Sequence, residues 1–172
     1  MASFAGKFAS TRQDWETPLE VFAPLNMEFR FTLDAAASAE NAKAPRWFTA
    51  EEDGIIQDWG IERVWLNPPY GDGAAKISTW VKKAHDASLN GALVVMLIPA
   101  RTNTEWFHKY CLGCAEVRFV RGRPKFGGAE HGLPQPLCII VFRPHQCRRP
   151  EALRQPDLFI ERPKPPKQEA FL

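Results

Sequence analysis

"RVWLNPPYGDGAAKISTWVKKAHDASLNGALVVMLIP", residues 63–99, joins an apolar run, a polar break, an amphipathic stretch and a second apolar run. Val64, Trp65 and Leu66 read as a strand that stops at Asn67-Pro68-Pro69-Tyr70. Two consecutive prolines lack N–H donors and hold φ near its extended value, so Asn67 is kept out of helix and the nearby carbonyls are claimed by no ladder. Beyond Gly73, the residues Ile77, Trp80, Val81 and Ala84 fall on one helical face, which Ser88 continues, with Lys76, Lys82 and Lys83 outside it. Gly91 to Pro99 then has the unbroken apolar content of a strand buried on both faces. This is a strand, helix, strand unit.

Upstream, Thr17-Pro18-Leu19-Glu20 predicts a helix start, with threonine as N-cap and glutamate closing a capping box, and Pro24 is expected to end that helix. "FRFTLDAAA", residues 29–37, alternates Phe29, Phe31 and Leu33 with polar residues and reads as a strand ending at Asp34; "RWFT", residues 46–49, is a second. Downstream, Thr102 and Glu105 repeat the capping-box spacing and predict a short helix. "EVRFV" (116–120) and "PLCIIVF" (136–142) read as two strands joined by a Gly/Pro-rich loop. The fold expected is single-domain α/β: a mostly parallel open sheet covered on both faces, with an antiparallel C-terminal strand pair. Residues 1–13 are expected to form a flexible N-terminus, 14–142 the domain, and 143–172, rich in proline and basic residues, a disordered tail.

The chain has 172 residues, 45% of them hydrophobic, enough for one core and too few for two comfortable domains. Its first residues hold no apolar run and no segment approaches the ~20 apolar residues of a membrane span, so a soluble, intracellular protein is expected. The four cysteines are expected to be reduced. Cys111 and Cys114 form a C-x-x-C, with His108, His145 and Cys147 elsewhere. A structural zinc usually shows two paired knuckles, and Cys138 sits inside an apolar run, so core or surface thiols and no metal are expected. Residues 1–75 hold 6 Lys+Arg against 12 Asp+Glu, whereas 76–125 hold 9 against 3. Such a basic sector suits a polyanionic partner, with Arg101, Arg121, Arg123 and Lys125 as its expected phosphate contacts.

Ligands of open α/β sheets bind outside the carboxyl ends of the strands, where Asp34 and Asn67 are both expected. The chemistry that suits Asn67 to Tyr70 is alkylation of a planar, conjugated amine, which needs acceptors rather than a strong base. If the Asn67 side-chain oxygen and the Pro68 carbonyl each accept one N–H, the amine lone pair is aimed at an incoming methyl group. Pro68 and Pro69 keep that carbonyl rigid, and the Tyr70 ring offers a stacking surface for a flat heterocycle. A base in duplex DNA must be flipped out to arrive there. Plainer readings stand beside these: Asn67 to Tyr70 as a strand-ending turn, Asp34 and Asp58 as caps, Trp15 and Trp59 as core aromatics.

Asn67-Pro68-Pro69-Tyr70 resembles the catalytic motif of S-adenosylmethionine-dependent amino methyltransferases. The ordered set "DWETP", "FTLDAAASAENAK", "FTAEEDGIIQDW", "VWLNPPY", "VVMLIPARTNTEWF" and "VRFVRGRPKF", from Asp14 toward Phe142, resembles the phage-type Dam family of DNA adenine methyltransferases. The resemblance implies a Rossmann-like methyltransferase fold, S-adenosylmethionine as cofactor, double-stranded DNA as partner, and transfer of a methyl group to the N6 amine of a flipped adenine. It implies that Trp15, Thr17 and Pro18 hold the methionine part of the cofactor, and that Asp34, Ala35 and Ala36 form its loop after the first strand. Asp58 and Trp59 match the place where its adenine is held, and Glu51, Glu52 and Asp53 are unranked candidates for its ribose. The chain departs from the general methyltransferase pattern in having no Gly-x-Gly after Asp34. Cytosine-N4 or RNA adenine methylation, and a non-catalytic DNA-binding module on the same fold, are the alternatives. Only loops at about 71–76, 99–116 and 121–136 are free to read base edges. Gln155, Leu158 and Phe159 resemble the short peptide by which DNA-processing proteins bind the bacterial sliding clamp, and a bacterial host cytoplasm, with phage or prophage origin, is the expected setting.

Overall fold

Helix α1 (Leu19–Phe29), strands β1 (Leu33–Asp34), β2 (Arg46–Trp47) and β3 (Arg63–Leu66), helix α2 (Ile77–Leu89), strand β4 (Leu93–Pro99), a π-helical turn (Phe107–Cys111), and strands β5 (Glu116–Phe119) and β6 (Leu137–Phe142) follow in order. The computed structural model describes residues 16–70, 76–127 and 135–147. The strands form one six-stranded sheet in the order β2-β1-β3-β4-β6-β5. β2, β1, β3 and β4 pair in parallel, whereas β6 runs antiparallel to both neighbours, β4 and β5. The class is therefore α/β with a mixed sheet. The expected antiparallel pair is present, and its second strand is inserted beside β4 rather than added at the edge.

β4 explains why its sequence shows no polar alternation. Val94, Met96 and Ile98 face α2 with Val64, Leu66 and Ile140, while Val95 and Leu97 face α1 with Trp65, Ile139 and Val141. Both sides of the strand are core, so period two survives only as a choice of neighbours. α2 buries Ile77, Trp80, Val81, Ala84 and Ser88, as its spacing predicts, together with Ala87. The other layer is aromatic: Phe22 meets Trp65 edge-on with centroids 5.3 Å apart, and Phe31 lies 5.5 Å from the same indole.

Several expectations need correction. α1 does not stop at Pro24 but carries it inside the helix, because Phe22, Leu25 and Phe29 share one buried face that spans it. Phe29 therefore belongs to the helix, not to a strand. The chain reverses at Arg30 (φ 52°), whose N–H donates to the Asn26 carbonyl, and the Asn26 side chain accepts from Phe31 N–H at 3.0 Å. No side chain caps the start of α1; Pro18 is its N-cap and Thr17 is buried instead. The turn after β4 starts later than Thr102, since the Thr104 carbonyl accepts from Phe107 and His108 and its hydroxyl donates to Arg101 O at 2.7 Å. Residues 143–147 are not part of a loose tail: Arg143 pairs with Glu116 at 2.8 Å, and His145 N–H donates to Ser88 O at 2.9 Å.

Cys111 and Cys138 are buried free thiols, as expected, but Cys114 and Cys147 form a disulfide. The β5–β6 register, with Glu116 opposite Val141, brings the residues just before β5 beside those just after β6. The turn closed by Gln146 N–H on Arg143 O then returns Cys147 to Cys114. Their separation of 33 residues hides this in the sequence.

Candidate active site

β1 and β3 are neighbours, with Asp34 opposite Trp65, so their carboxyl ends release Ala35 and Asn67 side by side. A cavity of about 610 Å³ lies there, lined by Asp34, Ala35, Ala36, Trp65, Asn67 and Pro69 among others. The two loops singled out in the sequence thus share one cleft. That volume falls in the range of small-molecule sites, and alanines, Ile55 and indole rings make the lining mostly apolar with a few convergent polar groups.

Asp34 is the polar centre. Its carboxylate accepts from Lys43 N–H at 3.0 Å and from Ala36 N–H at 3.5 Å, and the residue is 3% exposed. Burial pushes its pKa up to about 6, against the opposing pull of those N–H groups. It caps no helix; the chain after it loops through Ser38 and Asn41 before β2. Lys43 turns its ammonium to Glu16 at 2.8 Å, and both residues line the cavity. Thr17 lines it too, whereas Pro18 does not and Trp15 lies outside the described residues.

The acidic turn 51–53 separates its members. Glu52 accepts from Thr49 N–H at 2.8 Å and does not line the cavity, and Glu51 is exposed, while Asp53 lines it and accepts from Ile55 N–H at 3.1 Å. Asp58 and Trp59 do not line it either. Asp58 closes a turn on Gly60 N–H at 2.9 Å, and Trp59, 1% exposed, donates its indole N–H to Gly54 O inside the core. Gly54 is a contact that spacing could not disclose: a Cβ there would stand 2.0 Å from the Ala35 carbonyl oxygen. The turn and the loop after Asp34 therefore touch backbone to backbone. Trp80, reached from α2, closes the same side, and its buried indole N–H has no partner among the described residues. Glu16, Lys43 and Gly54 sit inside segments that resemble the family but were given no role from sequence, and Trp80 was read only as part of the buried face of α2.

At Asn67-Pro68-Pro69-Tyr70, Tyr70 O–H lies 2.8 Å from Asn67 Oδ1 and 3.0 Å from Leu97 O. The ring expected to serve as a stacking surface is partly buried against the α2 side of the core, and burial raises its pKa. Pro68 is buried and Pro69 lines the cavity.

Arg101 follows β4, and Arg121, Arg123 and Lys125 follow β5, which runs the same way as β4 because both oppose β6. All four are exposed at the sheet edge that carries the cavity. Gly127 N–H donates to Glu16 O at 3.1 Å, which ties the basic segment to the cavity rim. Gln155, Leu158 and Phe159 lie outside the described residues.

A sequence model of the family described as DNA N-6-adenine-methyltransferase (Dam) matches residues 7–146. The protein named "DNA N-6-adenine-methyltransferase" of Escherichia phage T1 is 34% identical over 113 residues, which cover 64% of this chain and 46% of the phage protein. The protein named "Putative methyltransferase YfdM" of Escherichia coli (strain K12) is 35% identical over 63 residues, or 33% of this chain and 69% of that one. The match thus spans about half the length of the phage relative.

Proposed function

Because the chain belongs to the DNA N-6-adenine-methyltransferase (Dam) family, we propose that it transfers a methyl group from S-adenosylmethionine to the N6 amine of an adenine flipped out of double-stranded DNA. The observation that carries this reading is the convergence of the Asp34 loop and Asn67-Pro68-Pro69-Tyr70 on one cavity. The residues fit the cofactor chemically: a buried carboxylate at Asp34 suits a cationic ligand, Asp53 offers acceptors for hydroxyl groups, and Ile55 with the alanines suits a flat ring. When bound, the cofactor supplies an electrophilic methyl group. Everything else falls to this chain.

Asn67 Oδ1 and the Pro68 carbonyl accept the two amine N–H groups, which localises the nitrogen lone pair without a strong base. Tyr70, whose hydroxyl stands 2.8 Å from Asn67 Oδ1, supports the carboxamide in that role. Arg101, Arg121, Arg123 and Lys125 hold phosphates along the rim and set the duplex over the opening. No metal enters this chemistry. The fold is then of the Rossmann-like methyltransferase type, and the work is done in the cytoplasm of a bacterial host. Among the described residues no helix is long and apolar enough to cross a membrane. The tail peptide with Gln155, Leu158 and Phe159 is part of the same reading, as a tether to the sliding clamp.

The test is to incubate the protein with labelled cofactor and unmethylated duplex DNA, then hydrolyse the DNA to nucleosides. N6-methyl-2′-deoxyadenosine is the product expected, and Asn67→Ala should lower its rate by roughly 10²–10³ with cofactor affinity kept. Methylation of cytosine N4, or of RNA alone, would replace the substrate; cofactor binding without transfer would make the protein a DNA-binding module.

A further inference from the structure

Far from the cavity, a second group of side chains meets. The sulfurs of Cys114 and Cys147 and a ring nitrogen of His85 lie within 4.8 Å of one another. Cys114 precedes β5, Cys147 follows β6, and His85 sits in the second half of α2, so the group occupies the sheet edge opposite the one holding Asp34 and Asn67. None of the three lines the cavity. We propose that, with the cysteine pair reduced, His85, Cys114 and Cys147 bind a divalent thiophilic ion of the zinc class.

A disulfide has no use for a histidine, and this histidine is prepared as a ligand. His85 Nδ1 stands 3.0 Å from the Asp86 carboxylate, and its side chain is 14% exposed. The ring is held between Tyr110 at 5.4 Å and Phe142 at 6.2 Å. A carboxylate on one imidazole nitrogen fixes the tautomer and leaves the other, Nε2, as the basic one, which is the usual second layer of a metal site. Two thiolates with one imidazole select zinc over oxygen-seeking ions such as magnesium or calcium. Three protein donors leave the fourth tetrahedral position to water.

The disulfide and the metal site are alternative states of the same sulfurs. A dithiol gives two electrons and two protons to the S–S bond and becomes a disulfide; a phosphine gives two electrons and becomes its oxide, with water supplying that oxygen and the two protons, and either way two thiols are left. Each thiol then loses its proton as the ion binds, so uptake releases two protons and strengthens with rising pH. The ion would fasten the start of β5 and the segment after β6 to α2, where His145 already grips Ser88 O at 2.9 Å.

The full chain should be reduced with a phosphine, freed of metal by a chelator, and titrated anaerobically with zinc alone and with cobalt(II) as a spectroscopic probe. One equivalent per chain is expected, with a thiolate-to-cobalt charge-transfer band. His85→Ala and Cys147→Ser should lose both, Cys111→Ser should keep both, and Asp86→Asn should weaken binding by about 10–100-fold. Zinc should also raise the melting temperature of the reduced wild-type protein. If reduced wild-type protein binds no zinc and its melting temperature ignores it, the proposal is wrong, whether or not the variants fold. It is equally wrong if His85→Ala keeps wild-type affinity and an unchanged cobalt band.

Discussion

Asp34→Asn separates two demands that meet at one carboxylate. In the folded protein burial holds its pKa at about 6, against an ordinary value of 3.8. At about 1.4 kcal/mol per pH unit, that gap corresponds to roughly 3 kcal/mol. The folded value is the higher one, so this contribution to stability is complete below pH 3.8 and is lost as pH rises through about 6. For a chain of this size the loss is roughly 6–12 °C in melting temperature between about pH 4 and about pH 7.5. A carboxamide at this position cannot ionise, so the variant should show no such fall. At neutral pH it should recover most of that roughly 3 kcal/mol, less about 1–2 kcal/mol for whichever N–H, that of Lys43 or Ala36, the amide no longer accepts. Cofactor binding should move the other way. A cationic ligand needs the carboxylate, so wild-type affinity for S-adenosylmethionine should rise up to about tenfold per pH unit below about 6 and level off above it. In the variant it should be weaker at alkaline pH and independent of pH. Melting curves and calorimetric titrations from mildly acid to mildly alkaline pH read both quantities. A variant that keeps wild-type affinity with the same pH slope refutes the role given to Asp34.

Gly54→Ala would place a Cβ 2.0 Å from the Ala35 carbonyl oxygen, so stability should fall by about 1–3 kcal/mol and cofactor affinity should fall with it; Gly60→Ala, strained at φ +51° but with nothing within 4 Å, should lose stability alone. Equal effects on binding from the two variants would separate Gly54 from the cavity. Tyr70→Phe should slow methyl transfer by about 2–10-fold, the worth of one hydrogen bond, with cofactor affinity intact; unchanged single-turnover rates would mean that Asn67 needs no help in orienting. Replacing Arg121 and Arg123 by alanine should flatten the salt dependence of DNA affinity by roughly 0.9 for each phosphate no longer neutralised, and an unaltered slope would put the DNA on another face.

Where a physical constraint acted on neighbours in the chain, the sequence disclosed it. α2 and β4 were legible because burial repeats at 3.6 residues in one and saturates both faces of the other. The end of β3 before Asn67 was legible because two prolines follow and leave few conformations there. Pro24 misled because its local cost is outweighed by the burial of Phe22, Leu25 and Phe29, which only the folded sheet provides. Thr17 misled for a related reason: its side chain is buried at the cavity rather than spent on a helix end. Asp58 and Trp59 follow a turn that places one in solvent and the other in the core, a choice made by Gly54 O and not by spacing. The Cys114–Cys147 pair depended on a strand register that no local pattern encodes.

The position of β6 bears on how the chain assembles. Among the described residues β5 has no sheet partner except β6, and β6 is the last strand. During synthesis β5 therefore leaves the ribosome with nothing to pair with, while β4 keeps an open edge until residues 137–142 arrive. The step that closes the sheet joins Val94 to Phe142. Such non-local pairing is slow because the loop entropy is lost before the contacts form. The β1, β3, β4 and α2 unit can condense early around the cleft. Completion of the sheet, and with it the placement of the Arg121 segment on the rim, must wait for the end of the domain.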